Sequence, residues 1–315
     1  MTTSKKGASI PYIVSAWFSH GPKMTLSGEL LKKPNVTIEK PDIYNSLFVK
    51  KNVSLDREVF MIERLHIGTS GWSYKHWSGL FYPEGVKPAK YLEYYVTEFG
   101  CVELNASFYR TPSVKTVEGW ARRTPVSFRF CVKMNQFITH RKKLVDTAEP
   151  LARFLAVFDP LRERLGPFLI QLPPSLRFDS KVAEAFLQLL ASYRDNREFA
   201  LEARQDSWFT PGSLSLLRRY GITNVIADSG GRFSESEALT SPTVYLRFHG
   251  RGGLYSSPYS TSELTSFACK ITGWLVEGRQ VWAFFNNDID GHAVYNAREL
   301  HALAESMICK TSLNL

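Results

Sequence analysis

The sequence predicts an α/β fold of the TIM-like (β/α)8 barrel type, preceded by a poorly ordered N-terminal extension. Short apolar runs rich in Val, Ile, Leu and Phe recur eight times after residue 64, as expected of strands buried on both faces. Amphipathic stretches separate these runs, and eight such repeats in about 250 residues are typical of a closed barrel. The alternative, an open doubly wound sheet, is disfavoured because no G-x-G-x-x-G turn follows the first run.

The elements follow one another in regular order. The predicted strands cover residues 65–70, 101–107, 129–134, 168–172, 199–203, 224–228, 244–248 and 281–285. The predicted helices cover residues 89–99, 114–123, 150–165, 180–193, 211–220, 262–276 and 293–307. Thr210-Pro211 is a typical helix start and Gly221 a typical stop. Only the connection between strands six and seven lacks an obvious long helix.

Composition narrows the class of protein. The 315 residues are 44% hydrophobic and 22% charged, which excludes a disordered, collagenous or coiled-coil chain. No apolar run reaches the roughly 18 to 20 residues that span a bilayer, so no membrane partner is expected. The four cysteines are far apart and form no C-x-x-C pair, which fits a reducing compartment and predicts a cytoplasmic location.

The N-terminal extension, residues 1–64, differs from the barrel, residues 65–315. Ten basic and six acidic residues give it +4 of the net charge of +9, and neither helical nor alternating periodicity persists in it. We expect either a disordered basic leader or sequence upstream of the native start, for which Met61 is the candidate. A signal peptide is disfavoured because no small-residue cleavage site follows the apolar stretch 10–18.

Polar residues lie inside or just after nearly every predicted strand. In strand order they are Trp72, Tyr74, Glu103, Asn105, Tyr109, Lys133, His140, Gln171, Glu202, Arg204, Asp228, Arg247, His249, Tyr255, Asn286, Asn287 and Asp288. Because the carboxyl ends of barrel strands meet at one face, these residues are expected to line one site. The alternative is a network that satisfies itself, with Glu103 paired to Lys133 and Glu202 paired to Arg204 or Arg247.

The same residues belong to motifs that resemble a known family. They include Gly68-Thr69-Ser70-Gly71-Trp72-Ser73-Tyr74, Phe81-Tyr82-Pro83, Glu103-Leu104-Asn105, Phe108-Tyr109, Thr139-His140, Gln171-Leu172-Pro173-Pro174, Ser207-Trp208, Arg247-Phe248-His249-Gly250 and Phe285-Asn286-Asn287-Asp288. In this order, from about residue 67 to residue 296, the chain is similar to the domain-of-unknown-function-72 (YecE-like) proteins. The resemblance implies a TIM-like barrel and no established activity. Ala203 and Gln205 depart from the aromatic residue and histidine common in that family.

The residue types predict the following roles. Glu103, Glu202 and Asp228 are candidate general acids or bases, with Lys133 and His249 as further catalytic candidates. The remaining polar residues named above are candidate substrate contacts, with the cationic side chains holding a phosphate or carboxylate. The glycine-rich loop 250–253 is either a phosphate-binding turn or a flexible connection.

No metal site is predicted among these residues, because only His249 lies at a strand end and no H-x-x-x-H or H-E-x-x-H motif occurs. A single Mg²⁺ or Mn²⁺ held by oxygen ligands stays open. The sequence assigns no cofactor.

Two functions are compatible with these residues. The first is an enzyme acting on a small phosphorylated or carboxylated substrate by carboxylate acid/base chemistry. The second is a nucleic-acid-binding barrel, endonuclease-like or non-catalytic, whose basic and aromatic residues contact phosphates and bases. The barrel retains only +5 of the net charge, so the first is favoured. The sequence does not determine the oligomeric state.

Overall fold

The computed structural model describes residues 55–194 and 197–314, in which eight parallel strands form a nearly closed barrel. The strands are β1 (Leu65–Thr69), β2 (Cys101–Leu104), β3 (Arg129–Val132), β4 (Phe168–Gln171), β5 (Phe199–Glu202), β6 (Thr223–Asp228), β7 (Thr243–Phe248) and β8 (Gln280–Phe285). They pair in the order β3-β2-β1-β8-β7-β6-β5-β4. Two parallel bridges, Phe130 to Leu165 and Lys133 to Leu169, connect β3 to β4. The predicted barrel is confirmed.

Helices connect most of the strands. They are α1 (residues 55–63), α2 (Tyr91–Glu98), α3 (Ala106–Tyr109), α4 (Val114–Arg123), α5 (Ala148–Val157), α6 (Ser180–Ala191), α7 (Pro211–Tyr220), α8 (Thr261–Val276) and α9 (His292–Asn314). Shorter helical turns cover Lys75–Trp77, Pro88–Lys90, Phe137–Arg141, Asp159–Arg164 and Asp206–Phe209. None of the helices described is long and apolar enough to cross a membrane.

The helix boundaries follow local chemistry. The Thr210 hydroxyl caps α7 by accepting from the Ser213 N–H, and Gly221 ends the helix at a φ of +60°, as predicted from those residues. The predicted helix 150–165 is shorter in the structure: α5 ends at Val157 and a 3₁₀ turn follows. Pro160 explains the break, because proline cannot donate the backbone hydrogen bond that would continue the helix.

Most of the predicted N-terminal extension lies outside the described residues. Its last part, residues 55–63, forms α1, in which Met61 is buried. Ser312 in α9 donates a hydrogen bond to Glu58 at 3.5 Å. Ser46–Leu315 form one of two units into which the chain divides, and all the described residues belong to it.

Two apolar cores stabilise the barrel. The larger packs the outer faces of the strands against the helices. The smaller fills the interior near the amino ends of the strands, with one or two side chains from seven strands: Cys101, Cys131, Leu169, Ala200, Val225, Tyr245, Trp282 and Phe284. The interior of the barrel is therefore packed, and it cannot act as a pore.

Gly68 is required where β1 and β2 approach each other. A Cβ atom at this position would lie 2.4 Å from the carbonyl oxygen of Cys101. Relieving this clash would require a shift of the backbone, which costs more free energy than the rotation of a side chain. We expect Gly68→Ala to lower the free energy of unfolding by about 1–3 kcal/mol, measured by urea denaturation. Gly100→Ala is the control, because a Cβ there meets no atom within 4 Å. Equal losses in the two variants would contradict the packing argument.

Candidate functional site

A layer of polar side chains lies directly above the interior apolar core. Each member follows a core residue by two positions, so its side chain points into the barrel one layer nearer the carboxyl ends of the strands. We call this the polar layer; it consists of Glu103, Lys133, Gln171, Glu202 and Arg247, and all five are buried. Three further side chains follow members of the polar layer by two positions, and they lie above it at the mouth of the barrel: Asn105, Arg204 and His249.

Arg247 and Glu103 form the central ion pair of the polar layer. The guanidinium of Arg247 donates to both carboxylate oxygens of Glu103, from Nε at 3.0 Å and from Nη2 at 2.7 Å. Glu103 also accepts hydrogen bonds from Ser70 Oγ at 2.6 Å and from the Tyr245 hydroxyl at 2.8 Å. Neither charged side chain is exposed to solvent. Four donor contacts therefore fix this carboxylate in position.

Glu202 extends the network toward the mouth. Its Oε2 accepts from Arg247 Nη1 at 2.5 Å, and its Oε1 accepts from Arg204 Nε at 2.8 Å. The pairs of Glu202 with Arg204 and Arg247 are those predicted for a self-satisfying network. The predicted pairing of Glu103 with Lys133 is wrong, because Arg247 takes both oxygens of Glu103.

This pairing keeps both carboxylates ionised. Burial works against ionisation of Glu103, but Arg247, Ser70 and nearby Lys133 outweigh it, and the pKa of Glu103 lies below its usual value. Burial acts in the same way on Glu202, where Arg247 and Arg204 hold the pKa well below the usual range. A carboxylate that is ionised and occupied on both oxygens is a poor proton carrier near neutral pH.

Lys133 differs from its charged neighbours. It is 8% exposed, and its ammonium lies 4.3 Å from the centre of the Phe108 ring. Within residues 55–194 and 197–314 it forms no ion pair and its Nζ donates no hydrogen bond. Burial, assisted by the nearby Arg247 charge, lowers the pKa of Lys133 to about 7. This amine therefore changes protonation state close to neutral pH.

Arg204 also has unused hydrogen-bonding capacity. Its guanidinium lies 4.2 Å from the centre of the Phe233 ring, and Nε donates to Glu202. The two terminal nitrogens donate to none of the described residues. Stacking and the Nε bond fix the plane of the group, so its remaining donors form a preorganised pair suited to a carboxylate or phosphate.

Two histidines border this region. His249 is fully buried, and burial lowers its pKa to about 4, although the nearby Glu202 opposes the shift. Asn286 Nδ2 lies 3.2 Å from His249 Nδ1; an amide donor there assigns the proton of the neutral ring to Nε2. That Nε2 lies 3.5 Å from Glu202 Oε1 and has no hydrogen-bond partner among the described residues. His140 packs edge-on against the Phe108 ring, with 5.0 Å between the ring centres.

Tyr74 and Asp288 lie at the edge of the mouth. The Tyr74 hydroxyl donates to the Ser70 carbonyl at 2.5 Å. Asp288 lies nearby, and burial raises its pKa. Asn105 connects this edge to Asn286, the neighbour of His249, because its Nδ2 lies 3.3 Å from the Ser70 carbonyl and 3.5 Å from Asn286 Oδ1.

The aromatic side chains Trp72, Tyr74 and Tyr109 do not surround the polar layer. With Leu92, Trp120 and Arg123 they line a separate, largely apolar cavity of about 510 Å³, whose wall also contains Asn105. The Tyr109 side chain is 73% exposed. Tyr255 lies on the other side of the mouth, with its ring edge-on to His249 at 5.5 Å between centres.

Several predicted site residues have structural partners instead. Arg251 contacts both carboxylate oxygens of Asp228, with Nη2 2.6 Å from Oδ2. Asn287 donates to the Ser257 carbonyl at 2.9 Å and to Asn296 at 3.0 Å.

Two backbone amides of the glycine-rich loop 250–253 are also hydrogen-bonded within the protein. The Gly250 N–H donates to the Tyr259 hydroxyl at 3.1 Å, and the Gly252 N–H donates to Ser257 Oγ at 3.0 Å. These two donors are therefore not free to bind a phosphate, and the segment forms a turn in which the Ser256 and Ser257 N–H groups donate to the Gly253 carbonyl.

Four side chains that shape the site were not predicted from the sequence. Ser70 and Tyr245 bind Glu103, while Phe108 and Phe233 lie against Lys133 and Arg204. Tyr245 precedes Arg247 by two positions in β7, so strand alternation was a usable signal for it. Phe233 lies in the long connection between β6 and β7, where no periodicity indicated its direction.

Gln205, which departs from the family pattern, caps the turn Asp206–Phe209 by accepting from the Ser207 N–H at 2.8 Å. No group of three or more His, Cys, Asp or Glu side chains among the described residues is arranged to hold a metal ion.

The charged groups at the opposite end of the barrel have partners among the described residues, although Nε of Arg197 has none. A polar depression of about 320 Å³ lies at the amino ends of the strands, next to Arg129, Arg194, Arg197 and Glu198. Arg197 pairs with Asp159, and Arg194 donates to the Tyr220 carbonyl. Glu198 accepts from the Thr243 hydroxyl at 3.0 Å. The mouth, with Lys133 and Arg204, therefore remains the stronger candidate site.

Comparison with known proteins identifies relatives of this chain. Residues 66–312 match the family model described as "Protein of unknown function DUF72". The chain is 28% identical over 276 residues to the UPF0759 protein YunF of Bacillus subtilis (strain 168), which covers 76% of this chain and 95% of that protein. It is 30% identical over 170 residues to the UPF0759 protein YecE of Escherichia coli (strain K12), covering 52% and 59% of the two chains.

Solved structures show the same fold. A DUF72 family protein from Thermotoga maritima is 33% identical, with a TM-score of 0.68 over 76% of this chain and 98% of that one. A DUF72 family protein from Enterococcus faecalis V583 is 23% identical, with a TM-score of 0.65 over 76% and 94%. The second similarity concerns the fold alone.

Proposed function

The chain belongs to the DUF72 family of proteins of unknown function, and from its mouth geometry we propose that it is an enzyme for a small carboxylated or phosphorylated substrate. The observation that supports this proposal is the unpaired state of Lys133 beside an ordered polar layer. Glu103, Glu202 and Arg247 satisfy one another, whereas the Lys133 ammonium and the terminal nitrogens of Arg204 have no acceptor among the described residues.

The charge balance of the site favours an anionic ligand. The two carboxylates and the two arginines of the network offset each other, so a protonated Lys133 is the surplus charge. A buried cation without a counter-ion is unfavourable. A bound carboxylate or phosphate would supply that counter-ion and would accept hydrogen bonds from Arg204. Both Lys133 and Arg204 act electrostatically on His140, which supports placing the two cations next to one anion.

Lys133 is also the better acid/base candidate. The sequence predicted carboxylate chemistry by Glu103 or Glu202, but both are held ionised by arginine. An amine whose pKa is about 7 can accept or donate a proton at neutral pH without a large energetic cost. In this proposal Glu103 and Glu202 orient Arg247 and Arg204, and Lys133 transfers the proton.

A cytoplasmic location fits the four free cysteine thiols.

Anion binding tests the proposal. Inorganic phosphate and acetate, titrated by calorimetry at pH 6 and low ionic strength, are expected to bind one site with weak affinity, and Lys133→Met and Arg204→Met are each expected to reduce that affinity at least about tenfold. The control is Lys181→Met, because Lys181 is an exposed lysine on α6. Unchanged binding in both mouth variants would refute the proposal. Tight, salt-dependent binding of random DNA unaffected by these variants would instead favour the nucleic-acid alternative.

A further inference from the structure

We propose that the substrate is a carbonyl compound with a nearby anionic group, such as a 2-oxo acid, and that Lys133 forms an imine with its carbonyl carbon. This inference rests on the proposed function, because it uses the same anion site. It adds a covalent role for Lys133 and a substrate class. Two observations support it: the surroundings of the Lys133 amine, and the donors placed around it.

The first observation is that the Lys133 amine is both buried and unoccupied. An amine can attack a carbonyl carbon only when it is unprotonated, and an ion pair or hydrogen bonds donated by the ammonium would favour the protonated form. Lys133 Nζ has neither among the described residues, and it lies over the face of Phe108, 4.3 Å from the ring centre. Burial and the nearby Arg247 charge lower the pKa of Lys133 to about 7, so a neutral, nucleophilic amine is present at neutral pH.

The second observation is the arrangement of donors near Lys133. The terminal nitrogens of Arg204 can hold the carboxylate of a 2-oxo acid, which would place the adjacent carbonyl within the mouth. His249 provides an Nε2–H that is buried and has no hydrogen-bond partner among the described residues. His140 lies against the same Phe108 ring as the amine. The amine, an anchor for the carboxylate, a hydrogen-bond donor for the carbonyl oxygen and a base, His140, therefore lie at the mouth of the barrel.

The covalent step balances without an added oxidant or reductant. The Nζ lone pair forms the new C–N bond, and the carbonyl π electrons move to oxygen, which takes a proton. The amine then loses a proton to His140 or to water. A second proton, supplied by solvent, then reaches the hydroxyl group, the C–O bond breaks and water leaves. The nitrogen lone pair forms the C=N bond, which gives a cationic imine that keeps one N–H. The cationic imine withdraws electrons from the neighbouring carbon and so promotes loss of a proton or cleavage of a C–C bond there.

Reductive trapping tests this inference. The intact protein is incubated with pyruvate and sodium cyanoborohydride, which delivers hydride to the imine carbon and makes the adduct permanent. We expect peptide mapping by mass spectrometry to find one 1-carboxyethyl group on Lys133, formed at least about tenfold faster than on any other lysine. Lys133→Met should lose this fast labelling, and Lys181→Met should retain it.

The carboxylate anchor is tested separately. Arg204→Met is expected to slow labelling of Lys133 by pyruvate at least about tenfold, while labelling by acetaldehyde, which has no carboxylate, should proceed at the same rate in both proteins. Equal labelling of Lys133 and the surface lysines would overturn the inference. If phosphate and acetate still bind in the Lys133-dependent manner described above, the proposed anion site stands and only the imine is excluded. If they do not bind either, both proposals fail.

Discussion

Arg247→Met is expected to lower the free energy of unfolding by about 3–5 kcal/mol at pH 7, the loss typical of breaking a buried ion pair from one side. The reason is that Glu103 and Glu202 are fully buried and both pair with this one guanidinium. Without it, Glu103 keeps only the hydroxyls of Ser70 and Tyr245. The measurement is urea denaturation followed by circular dichroism, with Arg219→Met as the control. Arg219 forms an exposed pair with Glu184, so its loss should cost less than about 1 kcal/mol.

The pH dependence of this variant provides a second readout. In the wild-type protein the pKa of Glu103 and of Glu202 is lowered by folding, so their contribution to stability is present above a pH of about 4.3 and is lost as the pH falls below it. In Arg247→Met, burial would instead raise the pKa of Glu103. The deficit of the variant should therefore shrink between pH 7 and pH 5.

If Arg247→Met does not fold, Glu103→Gln combined with Arg247→Met keeps the hypothesis testable. The double variant removes the uncompensated charge and should regain stability relative to the single variant. A double variant less stable than Arg247→Met would show that the charge of Glu103 is not the source of the loss.

Lys133→Met is expected to stabilise the protein, by roughly 4–5 kcal/mol near pH 6–7 and by about 1 kcal/mol at pH 10. The folded-state pKa of Lys133 is about 7, against a model value of 10.5, so the unfolded chain binds more protons between these values. Wild-type stability should therefore rise with pH across this window, as the buried amine ceases to oppose folding. Methionine at position 133 carries no charge, so the variant should lack this rise in stability with pH.

The measurement is the free energy of unfolding at pH 6, 8 and 10 for the wild type, Lys133→Met and Lys181→Met. Lys181 is exposed, so its variant should follow the wild type at each pH. Since Lys133→Met is expected to be more stable yet unable to bind phosphate or form the imine, lost binding could not be attributed to unfolding. A variant less stable than the wild type at pH 6 would show that the ammonium is paired in solution and would remove the basis for both proposals.

Much of the fold could be predicted from local chemistry. Eight short apolar runs gave the eight strands because strands covered on both faces need apolar side chains throughout. The cap at Thr210 and the stop at Gly221 placed α7 without tertiary information. Strand β2 ends at Leu104, earlier than the predicted residue 107, because Ala106–Tyr109 form the helix α3. Apolar residues such as Phe108 suit either structure, so periodicity could not set this boundary.

The candidate site could be predicted only in part. Alternation along a strand placed Glu103 and Asn105, and Glu202 and Arg204, on the same side of their strands, since side chains two residues apart point the same way. Strand alternation could not predict which acidic side chain pairs with which basic side chain. Asp228 resembled the other strand-end acids in sequence, yet Arg251 occupies both of its oxygens.

By itself, the sequence determined the barrel and the set of polar residues near its mouth, because strand burial and strand-end position are local properties of the chain. Only the tertiary structure decided how the charges are paired. Arg247 lies 144 residues from Glu103 and 45 from Glu202, and the order of strands around the barrel brings all three together. Among the described residues, that arrangement leaves Lys133 without a counter-ion, since a charge in a low-dielectric interior depends on which partners lie within a few ångströms.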